Sequence, residues 1–399
     1  MATTDSLDIY NVSELLSDEE RLAYETVHEW VTERYLPLIE AHYEAGTFPV
    51  EVVPELGELN VFGATLPEQY GCAGTTATAY GLINQAVEYG DSGLRSMVSV
   101  QSGLVMYPIY RYGTEEQRQR WLPELAAGNK IGCYGLTEPD HGSDPGGMVT
   151  RARPVDGGYV LNGAKAWITN GGIADVAVVW AKVDAGDGTA GDAKSIRGFI
   201  VERGMDGFST ADYKRKLSLR ASVTSELFFK DVFIPEANVL PGVQGLKGPL
   251  SCLNQARYGI AWGAIGAAQF CLESALRYAK ERQQFRRPIA SFQLQQHKLS
   301  EMATALTRMQ LICWRLGQLK QADRATPVQI SLAKRDNVYQ ARRIARMARE
   351  IYGAMGIMLE SNVMRHAANL ESVYTYEGTH DVHHLILGQA LTGIAAYTG

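Results

Sequence analysis

Cysteine is scarce in this 399-residue chain, and its positions show no pattern. The five cysteines are Cys72, Cys133, Cys252, Cys271 and Cys313, and no two of them form a CxxC pair. Structural zinc sites and disulfide frameworks need clustered or regularly spaced cysteines, so this wide spacing argues against both. We therefore expect buried, reduced thiols and no metal site.

An excess of positive charge is also missing. The chain has 38 Lys and Arg against 44 Asp and Glu, which gives a net charge of −6. Nucleic-acid binders usually carry a basic stripe, so we expect no nucleic-acid partner and no binding to a membrane surface. The nearest candidate for a membrane span, Ile260–Leu272, is short and rich in Gly and Ala. This composition favours a tightly packed helix, and we expect no membrane span.

Basic residues are absent from the start of the chain. The first 20 residues hold six acidic side chains and no Lys or Arg. A secretory signal needs a basic start, and a mitochondrial presequence needs Arg with few acids. The sequence therefore predicts a cytoplasmic protein.

Glycine, in contrast, is abundant and unevenly distributed. Sixteen of the 40 glycines fall within residues 131–210, where short strand-like runs are separated by turn residues. Apolar residues on either side recur at helical spacing. We predict an α+β fold with an N-terminal all-α domain (1–130), a middle antiparallel β-barrel domain (131–245) and a C-terminal domain resembling a four-helix bundle (246–399).

The clearest local signal in the middle region is Asn162-Gly163. It lies between Tyr159–Leu161 and Ala164–Thr169, two runs with strand character. An Asn-Gly pair between such runs is typical of a two-residue hairpin turn, so the pattern predicts two strands joined there.

Three segments contain residue types suited to binding or catalysis, and each also has a simpler interpretation. Glu377 follows Tyr376 in a predicted loop between helices; a desolvated carboxylate there could act as a base, although an exposed loop Glu is the commoner case. Arg95 and Ser96, in a predicted connection between helices, suit a carboxylate ligand, although a surface Arg is commoner. Leu136–Pro145 could bind ligand oxygens or form an ordinary loop.

Three further patterns remain open at this level. Trp167 and Thr169 could lie on one strand face against a planar cofactor, although core packing of a Trp is commoner. Arg282, Arg286 and Arg287 could bind cofactor phosphates or form a solvated surface. The histidines that follow Glu377 lack the neighbouring carboxylate cluster that a metal site needs.

Taken together and in order, these segments resemble the acyl-CoA dehydrogenase family from about residue 20 to the C-terminus. The matching motifs are Asp91–Ser96 with Ser99–Ser102, Gly135–Pro139, Trp167–Asn170, Asn254–Trp262 and, most specifically, Thr375–Asp381. The family's order of helices, β domain and helices is the order predicted above from periodicity. The resemblance implies FAD as cofactor, an acyl-CoA substrate, a homotetramer and an electron-transfer flavoprotein as electron acceptor.

The resemblance also assigns roles to individual residues. It implies that Glu377 is the base that removes the α-proton of the acyl thioester. Flavin contacts fall on Leu136, Thr137, Gly142, Ser143, Trp167, Thr169, Arg282, Phe285, Thr379 and Asp381. Substrate contacts fall on Arg95, Ser96, Glu88, Ser143, Asn254, Arg257 and Tyr376.

Within the family, the chain is most similar to members that oxidise and decarboxylate glutaryl-CoA to crotonyl-CoA and CO2. Arg95 and Ser96 match the pair that holds the distal carboxylate, and Glu88 matches the acidic partner of that Arg. Another dicarboxylyl- or short-chain acyl-CoA, or a reaction without decarboxylation, is the first alternative. A monooxygenase-like or inactive acyl-CoA-binding relative and a helical interaction protein without flavin are the others.

Overall fold

The N-terminal part is built from helices. The computed structural model describes residues 7–185 and 189–396. Ser17 and Thr114 begin two of the helices with reciprocal capping boxes, because each hydroxyl accepts the amide hydrogen three residues on. The helices are α1 (Asp18–Trp30), α2 (Leu36–Ala45), α3 (Val53–Glu58), α4 (Ala77–Gly90), α5 (Ser92–Ser99), α6 (Tyr107–Tyr112) and α7 (Glu115–Ala126).

Helix α4 lies at the centre of this part, and only Tyr89 among its residues is not buried. Asp91 alone separates α4 from α5, and its carboxylate accepts the amide hydrogen of Gly93 at 2.6 Å. The predicted connection between helices is therefore too long. Arg95 and Ser96 lie within α5, where a helix rather than a loop sets the direction of their side chains.

The middle part is one curled sheet of seven strands. The strands are β1 (Gly132–Gly135), β2 (Arg151–Val155), β3 (Gly158–Thr169), β4 (Val176–Val183), β5 (Ile196–Glu202), β6 (Phe208–Asp212) and β7 (Thr224–Pro235). Strand β4 pairs with β5 on one edge and with β1 and β2 on the other. Its pairings with β1 and β2 are parallel, so the sheet is mixed, whereas the sequence predicted a purely antiparallel one.

The predicted hairpin at Asn162-Gly163 is wrong. The two residues lie inside β3, which runs unbroken along β7 with a register shift between Leu161 and Gly163. Gly163 has a φ of +143°, and a Cβ there would approach the Cα of Thr150 to 2.7 Å. Asn-Gly therefore forms a β-bulge, because pairing with β7 and close contact with the chain at Thr150 outweigh the local turn preference.

The C-terminal part is an antiparallel bundle of long helices with a small hairpin. The helices are α8 (Lys247–Glu281), α9 (Gln293–Gln321), α10 (Pro327–Tyr352), α11 (Val363–Thr375) and α12 (His380–Thr392), and the hairpin pairs β8 (Gln283–Gln284) with β9 (Arg287–Pro288). Every α8 residue from Ala256 to Leu272 is buried, and Gly266 lets α4 approach its backbone closely. None of the helices described is long and apolar enough to cross a membrane. The predicted order of helices, β domain and helices is confirmed.

Candidate active site

Glu377 lies in the short loop between α11 and α12. Helix α11 ends at Thr375, and the Thr379 hydroxyl caps α12 by accepting the amide hydrogen of Val382 at 3.2 Å. Glu377 has a φ of +53°, a left-handed conformation that costs a residue other than Gly about 1 kcal/mol or more. A carboxylate is thus held on a strained backbone between two helix ends.

Two cationic side chains bind the backbone of this loop. Lys334 of α10 donates to the carbonyl oxygens of Tyr376 at 2.9 Å and Gly378 at 2.8 Å. Arg257 of α8 donates from Nε to the carbonyl oxygen of Glu377 at 2.7 Å. Three consecutive carbonyls therefore each accept a hydrogen bond from a buried cation, which offsets the strain at Glu377.

The Glu377 carboxyl group itself is desolvated. Its Oε2 is buried and has no hydrogen-bond partner among the described residues. Burial raises the pKa of Glu377 above its ordinary value, and three nearby cations oppose part of that increase. They are Arg95, Lys334 and Arg257. A carboxylate with a raised pKa and a free lone pair is suited to take up a proton.

A buried ion pair lies next to this loop. Arg95 Nε donates to Glu88 Oε2 at 2.8 Å, and the Ser92 hydroxyl donates to Glu88 Oε1 at 2.8 Å. Arg95 Nη2 donates to Ser96 Oγ at 3.3 Å and also to the Tyr376 hydroxyl. Burial acts against the charge of Arg95, but Tyr376 and Glu88 outweigh it and raise its pKa. The guanidinium is therefore charged although it is only 1% exposed.

A glycine on α8 makes room for this ion pair. A Cβ on Gly263 would overlap Glu88 Oε2 and lie 3.0 Å from Arg95 Cδ. Sequence reasoning missed Gly263, because a single Gly in a Gly- and Ala-rich helix carries no signal of what packs against it.

A second buried ion pair orders the loop that follows β1. Lys165 of β3 donates to Glu138 Oε1 at 2.8 Å and to the Leu136 carbonyl at 3.0 Å. Glu138 also accepts the amide hydrogens of Val149 and Thr150 at 2.6 and 2.9 Å. Burial lowers the pKa of Lys165 to about 8, although Glu138 opposes the decrease. Sequence reasoning included Glu138 only as part of a motif and missed Lys165, for which a Lys between apolar residues of β3 was the available signal.

The sequence matches three family models along its length. Models of the N-terminal, middle and C-terminal domains of acyl-CoA dehydrogenase match residues 17–129, 133–232 and 243–392. The chain belongs to the acyl-CoA dehydrogenase family. It is an FAD-dependent acyl-CoA dehydrogenase.

Relatives at two levels of similarity carry different names. Two crystal structures of glutaryl-CoA dehydrogenase from Mycobacterium smegmatis are 51% and 49% identical, with TM-scores of 0.94 and 0.95. The first covers 99% of both chains; the second, solved in complex with FADH2, covers 98% of this chain and 99% of its own. Human mitochondrial short-chain specific acyl-CoA dehydrogenase is 33% identical over 374 residues, covering 93% of this chain and 90% of the relative.

The residues expected to contact flavin fit a planar, phosphate-bearing group. Trp167 is 61% exposed, with a φ of +62°, and its ring stacks on Tyr213 at 4.4 Å. The alternative interpretation, that Trp167 packs in the core, is therefore wrong. A register shift between Lys165 and Ile168 interrupts the alternation on which a shared face with Thr169 depends. The exposed indole and the half-buried Thr137 and Thr169 leave an aromatic face and two hydroxyls for a cofactor.

The other expected flavin residues lie in several places. Leu136 is buried, and Gly142 and Ser143 are exposed in the loop that Glu138 orders. A Cβ on Gly142 would meet nothing within 4 Å, which leaves room for a ligand. Thr379 and Asp381 lie at the start of α12, where amide groups favour a phosphate or hydroxyl oxygen.

The hairpin of β8 and β9 lies apart from Glu377. Arg282 is exposed at its base, and Phe285 is 87% exposed at its tip. Within residues 7–185 and 189–396, no hydrogen bond or ion pair joins this hairpin to the Glu377 loop. The structure of one chain therefore shows no such contact between these two residues and the Glu377 loop.

Two remaining predictions concern CoA and metal. Asn254 is half-buried one helical turn before Arg257 on α8, so both can face the same ligand. The Nε2 atoms of His380 and His384 are 3.1 Å apart. The described residues nevertheless contain no group of three or more His, Cys, Asp or Glu that could hold a metal ion.

Proposed function

We propose that this enzyme oxidises and decarboxylates glutaryl-CoA to crotonyl-CoA and CO2. One observation carries the proposal: a buried, charged Arg95 is hydrogen-bonded to Tyr376, the residue next to the proposed base Glu377. A pocket for a plain fatty acyl chain gains nothing from a buried cation, whose desolvation is costly. A ligand with a distal carboxylate compensates that cost.

The guanidinium retains a donor for such a ligand. Nε is used by Glu88, and Nη2 is used by Ser96 and Tyr376. Nη1 makes no hydrogen bond to any residue within the part of the chain that the structure describes. A distal carboxylate bound at Nη1, with the Ser96 hydroxyl beside it, would receive a charge-assisted hydrogen bond in an enclosed site.

The proposed chemistry uses Glu377 twice. Its carboxylate removes the α-proton of the thioester, and bound FAD supplies the acceptor for the β-hydride. The product still carries its distal carboxylate, which leaves as CO2 and transfers its bonding electrons to the conjugated thioester. The protonated Glu377 then returns a proton to the resulting dienolate, which gives crotonyl-CoA. The raised pKa of Glu377 suits both proton transfers.

The chain's own residues hold the reactants in this scheme. We propose substrate contacts at Arg95, Ser96, Glu88, Ser143, Asn254, Arg257 and Tyr376. We propose FAD contacts at Leu136, Thr137, Gly142, Ser143, Trp167, Thr169, Arg282, Phe285, Thr379 and Asp381. The exposed position of Arg282 and Phe285 supports contact with the FAD of a neighbouring subunit. A homotetramer, an electron-transfer flavoprotein as acceptor and a cytoplasmic location stay predictions.

The second candidate is oxidation of a short-chain acyl-CoA without decarboxylation. The similarity to human short-chain specific acyl-CoA dehydrogenase favours it. The higher identity to two structures of glutaryl-CoA dehydrogenase, together with Arg95, supports the first proposal.

Anaerobic titration of the purified holoenzyme separates the two candidates. Flavin absorbance and released CO2 are followed as glutaryl-CoA or butyryl-CoA is added. Glutaryl-CoA should bleach the flavin with one CO2 per flavin reduced, and butyryl-CoA should react far more slowly. Bleaching by glutaryl-CoA without CO2 would contradict decarboxylation, and a preference for butyryl-CoA would contradict the substrate.

A further inference from the structure

Lys334 binds the backbone carbonyls of the two residues that flank the proposed base Glu377. It is 1% exposed, and its Nζ donates to the carbonyls of the residues just before and just after Glu377, at 2.9 and 2.8 Å. We infer that Lys334 is a positioning residue, which orients the Glu377 amide into the site and supplies the positive charge that favours its carboxylate. This inference rests on the role of Glu377 in the proposed function.

The orientation follows from the planarity of the peptide bond. In a trans peptide, the C=O and N–H groups point in opposite directions. The Tyr376 carbonyl points to Lys334, so the N–H of the same peptide, which belongs to Glu377, points away from it. The Glu377 amide has no acceptor among the residues that the structure describes. It is therefore a free donor beside the carboxylate, where charge develops on the thioester oxygen.

Arg257 acts on the next peptide in the same way. It binds the Glu377 carbonyl at 2.7 Å, which turns the Gly378 amide away from α8. The two cations thus hold three successive peptide planes of the loop. A Cβ on Gly378 would come within 3.1 Å of Arg257 Nη2, so the packing leaves little freedom for the loop to rotate.

The charge of Lys334 is not neutralised by an ion pair. Within residues 7–185 and 189–396, no carboxylate lies within 4.0 Å of its Nζ. The charged or titratable groups that face it are Glu377 of the loop, Arg257 of α8, Arg95 of α5, and His380 and His383 of α12. Burial lowers the pKa of both histidines below the ordinary value, most strongly for His383, so neither ring adds a positive charge at neutral pH. Glu377 is the one negative group of this set.

The contact also resembles an ordinary lysine cap at the end of α11, which would affect stability alone. Burial lowers the pKa of Lys334 to about 7, against the effect of Glu377. A purely structural cap would leave the pKa of the Glu377 carboxyl unchanged. A cation that acts on the base would not, and this difference separates the two roles.

The test compares Lys334→Gln with wild type and with the control Lys298→Gln. Gln retains a donor and removes the charge, and Lys298 pairs with Glu350 at 3.0 Å, away from the loop. Infrared difference spectra of the holoenzymes over pH, referenced to Glu377→Gln, give the pKa of the Glu377 carboxyl without turnover. We expect Lys334→Gln to raise this pKa by about 1 and to slow flavin reduction roughly tenfold at neutral pH. The control should change neither.

A folded Lys334→Gln with the wild-type carboxyl pKa and rate would overturn the inference. If that variant does not fold, wild type decides the matter. Its Glu377 titration should then show a second inflection near pH 7, where Lys334 loses its proton, and a single transition would overturn the inference. If Glu377→Gln still reduces flavin, the proposed function fails, while the pKa comparison continues to test Lys334.

Discussion

Glu377 and Arg95 each retain an unused bonding group in a buried setting. Glu377 has a buried Oε2 without a partner, and Arg95 uses Nε and Nη2 but not Nη1 for hydrogen bonds among the described residues. An unpartnered buried oxygen such as Glu377 Oε2 typically costs about 1–3 kcal/mol. A ligand that brings a proton donor to Glu377 removes that cost, and its distal carboxylate gains a charge-assisted hydrogen bond from Arg95. This pairing of an acid-base group with a carboxylate receptor is the residue-level basis of the proposed specificity.

The variant Glu377→Gln tests the base directly. It preserves the shape of the side chain and removes the proton acceptor, so we expect flavin reduction by acyl-CoA to fall roughly 100- to 10,000-fold while FAD stays bound. Stopped-flow absorbance measures the rate, and flavin content is read from the spectrum. Glu360→Gln, an exposed site, is the control. Substantial bleaching in Glu377→Gln would remove Glu377 as the base.

Arg95→Met tests the carboxylate receptor. The change keeps most of the side-chain volume but removes the charge, so we expect kcat/KM for glutaryl-CoA to fall roughly 10- to 100-fold. The value for butyryl-CoA, which has no distal carboxylate, should change much less. Arg95→Lys keeps the charge and should recover part of the loss. Equal losses on both substrates would count against the pocket.

At the scale of elements, helix α8 and strand β3 position the site, because each packs closely against a buried ion pair. Helix α8 supplies Arg257 to the Glu377 loop and, at Gly263, the space for the Glu88–Arg95 pair. Strand β3 carries two bulges, and Lys165 and Trp167 lie at the second. A bulge redirects side chains out of strict alternation, which allows Lys165 to be buried against Glu138 while Trp167, two residues on, stays exposed.

Gly263→Ala tests the contact between α8 and the ion pair. The added Cβ would overlap Glu88 Oε2, so the pair must move, at a cost of about 1–3 kcal/mol. We expect a lower Tm together with a reduced preference for glutaryl-CoA over butyryl-CoA. Gly388→Ala on α12, where a Cβ would meet nothing within 4 Å, is the matched control. An unchanged preference in a folded Gly263→Ala would show that the site tolerates the methyl group.

For the whole molecule, a buried network joins the helical parts. Arg365 of α11 donates to the Gly90 carbonyl at 2.8 Å and to the Asp91 carboxylate, which also accepts from Asn369 at 2.7 Å. Asn369 accepts the amide hydrogen of Leu219 at 2.8 Å. The N-terminal helices, the chain before β7 and the C-terminal bundle thus meet at one site. His366, next to Arg365, is fully buried there.

His366 predicts a pH dependence of stability. Burial lowers the pKa of His366 well below its ordinary value, so the folded chain keeps it neutral while the unfolded chain takes up a proton below about pH 6.5. Stability is therefore lost as the pH falls, by up to about 1.4 kcal/mol per pH unit from this group. We expect His366→Gln to show a smaller decrease in Tm between about pH 7.5 and 5.5. The exposed His297→Gln should match wild type, and an unchanged slope in His366→Gln would refute the assignment.

The sequence alone determined the features that depend only on neighbouring residues. The hydroxyls of Ser17 and Thr114 set helix starts, because a capping box needs only the three residues that follow. Apolar periodicity predicted helical domains on both sides of the middle domain. The motif around Glu377 carried the resemblance to the family. Packing between distant parts of the chain decided the rest. It places a bulge at Asn162-Gly163, puts Arg95 within a helix and makes two strand pairings parallel. The roles of Lys165, Gly263 and Lys334 depend on neighbours distant in the chain, whose approach is a property of the folded core.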